Sequence, residues 1–290
     1  MGKKTGRIGA KKISALYIAM SIMIAASVII AIYEASVIIK SKEADRNAVL
    51  EYEQLQNYAV MEDTTGWEPI TPEKEPASED TADESEEERE IPRTYPQINV
   101  DHEALKDINP DYVGWLYIPA VELSYPVVKE TFADQYLYTT FDGIQNNAGC
   151  LFMDDVSNSD FDGLYDFIFG HNMRNGTMFG SLRQLHEEGN EHLWEDEPYL
   201  YIYRDDKIMR YYIYSYYKTI TGSPAYDEIY DHDAYDRLLK YTLENSMIEK
   251  PDMKLFEDYP EILSLSTCSG RAGGSQRFIV HCVKDAVWYN

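Results

Sequence analysis

Ile13 through Tyr33 is a run of 21 residues without a charge, in which only Ser14, Ser21 and Ser27 interrupt apolar or aromatic side chains. Wound as a helix it spans about 30 Å, the depth of a bilayer's hydrocarbon core. Such a segment fixes the topology of everything attached to it. Five cations (Lys3, Lys4, Arg7, Lys11, Lys12) precede it with no acid among them, whereas the residues that follow carry mixed charge. By the positive-inside bias the N-terminus is expected in the cytoplasm and the bulk of the chain outside. The run exceeds the roughly 7–15 apolar residues of a secretory signal and ends without a small-x-small site, so an uncleaved anchor is expected rather than a signal peptide.

The expected organisation is a basic cytoplasmic tail (1–12), a transmembrane signal anchor (13–33), a stalk and acidic linker (34–93) and one folded domain (94–290). Helix is expected to continue to about Gln56. From Glu73 to Glu90 ten acids stand against Lys74 and Arg89. With almost no aliphatic side chains between Met61 and Pro92, that stretch reads as a solvated, disordered spacer. The net charge of -25 excludes the basic footprint that nucleic acids demand. Three cysteines, Cys150, Cys268 and Cys282, cannot form a closed disulfide framework. Stability outside the cell would then come from a packed core rather than cross-links.

Beyond Tyr95 the texture changes to short runs rich in Val, Ile, Tyr and Phe, punctuated by Gly, Asn and Asp. Strands are predicted at Val113–Ile118, Tyr125–Val128, Gly149–Met153, Asp166–Phe169, Tyr199–Tyr203, Ile208–Lys218, Ile262–Cys268 and Arg277–Lys284. So many strands at short spacing indicate a mainly β fold, a barrel or sandwich. Helices are predicted at Val100–Ile108, with Asp101 as N-cap, and at Asp231–Met247, where Tyr235, Leu238, Leu239, Leu243 and Met247 share a face.

Leu263 to Gly270 alternates apolar and polar residues into Cys268 and then a glycine turn. Alternation puts Cys268 on the face of Ser264 and Ser266, opposite Leu263 and Leu265. A strand ending Phe167-Ile168-Phe169-Gly170 presents His171 as the loop opens. Imidazole titrates near neutrality and can serve a thiol first and a leaving amine afterwards. Arg277 starts the last predicted strand, a hairpin's return from Cys268, where a permanent cation can steady an oxyanion. His281, on the same face as Arg277, is a weaker rival to His171 because it lacks the strand-end setting. Cys150 and Cys282 lie in apolar surroundings and read as structural thiols.

Taken in order, Ile108-Asn109-Pro110-Asp111 with Gly114-Trp115-Leu116, Tyr125-Pro126-Val127-Val128, Gly170-His171-Asn172-Met173, Met178-Phe179-Gly180, Leu265-Ser266-Thr267-Cys268 and Arg277-Phe278-Ile279-Val280 resemble a class B sortase across roughly Ile98 to Asn290. The resemblance implies an eight-stranded sortase barrel with an N-terminal helical extension and a helix between strands six and seven. It makes Cys268 the nucleophile, His171 the general acid/base and Arg277 the transition-state stabiliser, with Ser266 and Thr267 lining the substrate groove. The implied activity is that of a single-pass cysteine transpeptidase at a Gram-positive surface, joining secreted proteins that bear a C-terminal sorting signal to an amine of a cell-wall precursor or a pilin. No metal or organic cofactor is expected. The sequence departs from the family after the nucleophile, with Ser269 and Gly270 where an acidic or tyrosine residue is common, and with a glycine-rich loop that suggests mobility. A surface cysteine protease that only hydrolyses, and a catalytically silent membrane-anchored binding module, are the competing readings.

Overall fold

The computed structural model describes residues 6–61, 95–268 and 274–290. The acidic spacer (62–93) and the glycine-rich stretch 269–273 lie outside the described residues. The chain divides into two compact units, Met1–Asn47 and Ala48–Asn290.

Helix α1 runs from Gly6 to Leu55. Among the described residues it is the one helix long and apolar enough to cross a bilayer, judged by length and composition. Ser21 and Ser27 each donate a hydroxyl to the carbonyl four residues back, at 2.9 Å, so neither needs an outside partner. Ile22, Ile24, Ile29, Ile30 and Ile32 are all exposed, an apolar surface continuous around the helix.

The second unit begins with the last two turns of α1. Ala48, Tyr52 and Leu55, at helical spacing, are each 3% exposed and belong to the main core. A 3₁₀ turn then leads into β1 (Ala59–Met61), which pairs antiparallel with β2 (Ile98–Val100). Helix α2 (His102–Ile108) follows, its first turn capped by Asp101, whose carboxylate accepts from Ala104 N at 3.0 Å.

The remaining strands are β3 (Tyr112–Ile118), β4 (Leu123–Lys129), β5 (Leu151–Met153), β6 (Tyr165–Phe169), β7 (Tyr199–Tyr203), β8 (Lys207–Ile220), β9 (Ile262–Cys268) and β10 (Gln276–Tyr289). They close into a barrel in the order β10-β8-β7-β3-β4-β5-β6-β9. β4 with β5 and β6 with β9 are parallel pairs, and the other pairs are antiparallel. All eight predicted strands are present, and the mainly β barrel is as expected. Their inner faces supply the core: Leu116, Ile168, Leu200, Ile202, Leu265, Val280 and Cys282 are fully enclosed.

The short helix α3 (Glu191–Asp196) precedes β7, and α4 (His232–Asn245) lies between the sixth and seventh barrel strands. Asp231 caps α4 by accepting from Ala234 N at 2.8 Å. Tyr235, Leu238 and Leu239 bury against Tyr214, Phe256, Ile262 and Val283 on the outer side of β8, β9 and β10. Helix α4 stops at Asn245, short of the predicted end, and Met247 is 53% exposed. Ser246 has left the helical region (ψ 139°), which takes Met247 off the apolar face.

Candidate active site

Strand pairing brings the three predicted catalytic positions to one end of the barrel. β9 is flanked by β6 on one side and β10 on the other. In the parallel pair Phe169 is level with Ser266, and Gly170 N donates to Ser266 O at 3.2 Å, so His171 emerges beside the last residues of β9. In the antiparallel pair Cys268 is directly opposite Arg277. The three positions thus sit on adjacent strand ends.

His171 leaves β6 through a turn that only glycine fits. A Cβ on Gly170 would run into Leu151 Cδ2 and the Phe179 ring. Beyond it, His171 O accepts from Phe179 N at 3.0 Å, and Asn172 bridges Met178, which fixes the loop. The half-buried imidazole donates from Nε2 to the carbonyl of Leu137 at 2.6 Å. A carbonyl can only accept, so the proton of the neutral ring resides on Nε2 and Nδ1 carries the lone pair. The Tyr138 ring lies against the imidazole, centroids 5.5 Å apart. Burial pushes the His171 pKa below its ordinary value, opposed by the Leu137 hydrogen bond. The ring is therefore neutral near pH 7.

Arg277 is half-buried, and its Nη1 donates to Gly274 O at 2.7 Å and to Gln276 O at 2.9 Å. It grips the end of the β9–β10 connection beside the position of Cys268. Ser266 is 2% exposed, with Oγ 2.8 Å from Tyr226 Oη, and Thr267 is 3% exposed on the Leu265 side of β9, across from Phe278.

The other candidates are enclosed. His281 is fully buried, with Nδ1 2.6 Å from Ser264 Oγ and Nε2 3.0 Å from Tyr217 Oη, and desolvation depresses its pKa to about 3. Cys150 and Cys282 are buried free thiols whose pKa values burial pushes up, the reverse of what activates a nucleophile. Among the described residues no group of three or more His, Cys, Asp or Glu could hold a metal ion. A cavity of about 340 Å³ lined by Tyr95, His102, Arg204 and Asn290 lies at the opposite end of β10 from Arg277 and contains none of these candidates. Sequence reasoning missed Leu137 and Tyr138; Leu137 acts through its backbone, which carries no residue-type signal.

The chain is similar to known proteins of a single family. The sortase domain family model matches residues 116–285, more than half of the chain. Sortase B of Listeria monocytogenes is 36% identical over 80 residues, which are 28% of this chain and only 32% of that protein, about a third of its length. Sortase B of Staphylococcus aureus is 27% identical over 188 residues, covering 63% of this chain and 73% of that one. The crystal structure of Clostridium perfringens sortase B superposes with a TM-score of 0.57 at 28% identity, covering 63% of this chain and 99% of that one. An eight-stranded barrel of this topology, matched by the family model across its strands, establishes that the chain belongs to the sortase family of cysteine transpeptidases, with its likeness inside that family to the class B sortases.

Proposed function

We propose that this protein is a membrane-anchored transpeptidase in which Cys268 is the nucleophile, His171 the general acid/base and Arg277 the stabiliser of the tetrahedral intermediate. The observation that carries the reading is the register: Cys268 opposite Arg277, and His171 at the end of the parallel neighbour strand. The Cys268 thiol gives its proton to His171 Nδ1 as its sulfur adds to a peptide carbonyl in the C-terminal sorting signal of a secreted protein, and Arg277 donates to the oxyanion. The C–N bond breaks as His171 delivers a proton to the departing amine, leaving a thioester on Cys268. An incoming amine of a cell-wall precursor or pilin then loses its proton to His171 as it attacks the thioester, and the thiol is restored. With Nε2 committed to Leu137, Nδ1 is the nitrogen free to carry this proton.

Ser266 and Thr267, enclosed on opposite faces of the last residues of β9, would border the bound signal once it enters beside Cys268. Helix α1 would hold the enzyme at the outer face of the membrane, where secreted substrates and lipid-linked acceptors meet; confinement there raises the encounter frequency. The test is mass spectrometry of the full chain in detergent, incubated with a library of sorting-signal peptides and an amine. Cleavage with amine capture, abolished in Cys268→Ala, is expected. Cleavage that yields only the free acid at saturating amine would instead establish a hydrolase, and an absence of any acyl-enzyme across the library would favour a barrel that only binds.

A further inference from the structure

We propose that Tyr52, in the last turns of α1, is a positioning residue that holds His171 in its working tautomer. Tyr52 is 3% exposed and lies where two supports of His171 meet. Its hydroxyl donates to Gly149 O at 2.6 Å and lies 3.5 Å from Cys150 Sγ. Gly149 has a φ of +56°, and a Cβ there would come within 2.5 Å of Leu137 O and 2.7 Å of Tyr136 O. The backbone at 149 thus passes close beside the Leu137 carbonyl that accepts from His171 Nε2, leaving no room for a side chain between them. Cys150 N to Tyr136 O (3.1 Å) and Asn146 N to Tyr138 O (2.9 Å) stitch the two limbs of this loop together.

The second support runs through the Tyr52 ring. It meets Tyr125 edge-on, with centroids 5.4 Å apart, and Tyr125 Oη accepts from Met178 N at 3.3 Å. The next residue, Phe179, donates its N–H to His171 O. One side chain from α1 therefore braces the imidazole's acceptor and the loop that carries the imidazole. Glu51 reinforces the contact by accepting from Asp142 N at 3.0 Å on the same loop. A carbonyl shifted by a fraction of an ångström would no longer select Nε2–H over Nδ1–H.

The consequence for turnover rests on the proposed role of His171; the positioning itself does not. The experiment uses the full chain in detergent micelles with ¹⁵N-labelled histidine rings, His171→Gln serving to assign the resonance. Wild type is expected to give the Nε2–H pattern at pH 7.5, and Tyr52→Phe a mixture of tautomers. In the same variant kcat for a cleaved peptide should fall about tenfold with KM unchanged. Should Tyr52→Phe fail to fold, Tyr125→Phe removes the hydroxyl of the second support and should also mix the tautomers. An unchanged His171 pattern in a folded variant, even with a lowered Tm, would overturn the proposal, because Tyr52 would then be structural only. If wild type turns over no peptide, the functional reading fails while the tautomer still decides this one.

Discussion

At His171 one backbone carbonyl determines which nitrogen is available, and that choice has a kinetic signature. With the imidazole pKa lowered by burial, the acid limb of kcat/KM is expected below pH 6.5. The sign follows from the neutral ring being the resting form: the rate rises with pH through the lowered value, and His171→Ala abolishes the limb. A pH profile of peptide cleavage decides it, and a midpoint at or above 6.5 contradicts the burial. Thiol chemistry gives a second residue-scale prediction. Cys150 and Cys282 are enclosed and hard to ionise. Iodoacetamide followed by peptide mapping should therefore modify Cys268 at least about tenfold faster than either. Arg277→Lys keeps the charge but loses the planar fork, and should cost about 10²-fold in kcat if Arg277 binds the oxyanion. The types and order of these residues were legible because a strand's alternation and its glycine stop are local signals. Leu137 was not, because a carbonyl contributed from 34 residues away belongs to a loop whose path only the folded barrel defines.

Between elements, the tightest joint is where β6 gives way to the loop. Gly170→Ala would push a methyl into Leu151 and Phe179, and should cost about 1–3 kcal/mol of stability, read by urea unfolding, together with most of the activity. The outer face of the β9–β10 pair carries a different signature. His281 is neutral when folded, with a pKa of about 3, and takes up a proton near 6.5 when unfolded. Between those values the unfolded chain binds a proton that the folded chain refuses. Its contribution to stability is thus fully present above pH 6.5 and declines as pH falls towards 3, by at most about 1.4 kcal/mol per pH unit. Urea melts from pH 4 to 7.5 should show a shallower slope for His281→Gln than for wild type. The long strands were readable from β-branched and aromatic runs such as Ile208–Lys218. Their true ends at Lys207 and Ile220 were not, since they are set by the length of the partner strand, Lys207 pairing with Tyr289 and Ile220 with Gln276. The β1–β2 pair went unpredicted because each strand has three residues, too few to display a period.

For the whole molecule, the informative boundary lies inside α1. Ala48, Tyr52 and Leu55 bury their side chains in the second unit, whereas Ile22 to Ile39 expose theirs. Deleting residues 1–47 should leave the thermal unfolding midpoint within a few degrees of the full chain and free the protein from vesicles. Deleting 1–61 should lower the midpoint clearly by stripping out Ala48, Tyr52 and Leu55. Flotation and calorimetry on the two truncations separate these outcomes. From sequence, the continuous helical pattern concealed the transition, because a helix entering a core and a helix leaving a bilayer both present apolar residues three and four apart. The parallel seam between β6 and β9 bears on how the molecule comes into being. His171 and Cys268 are about a hundred positions apart in the chain, and the pairing that unites them is among the last contacts a growing barrel can make at low entropic cost. A partly zipped chain has strands but has not yet brought His171 and Cys268 together, so recovery of the proposed activity on refolding is expected to trail recovery of sheet.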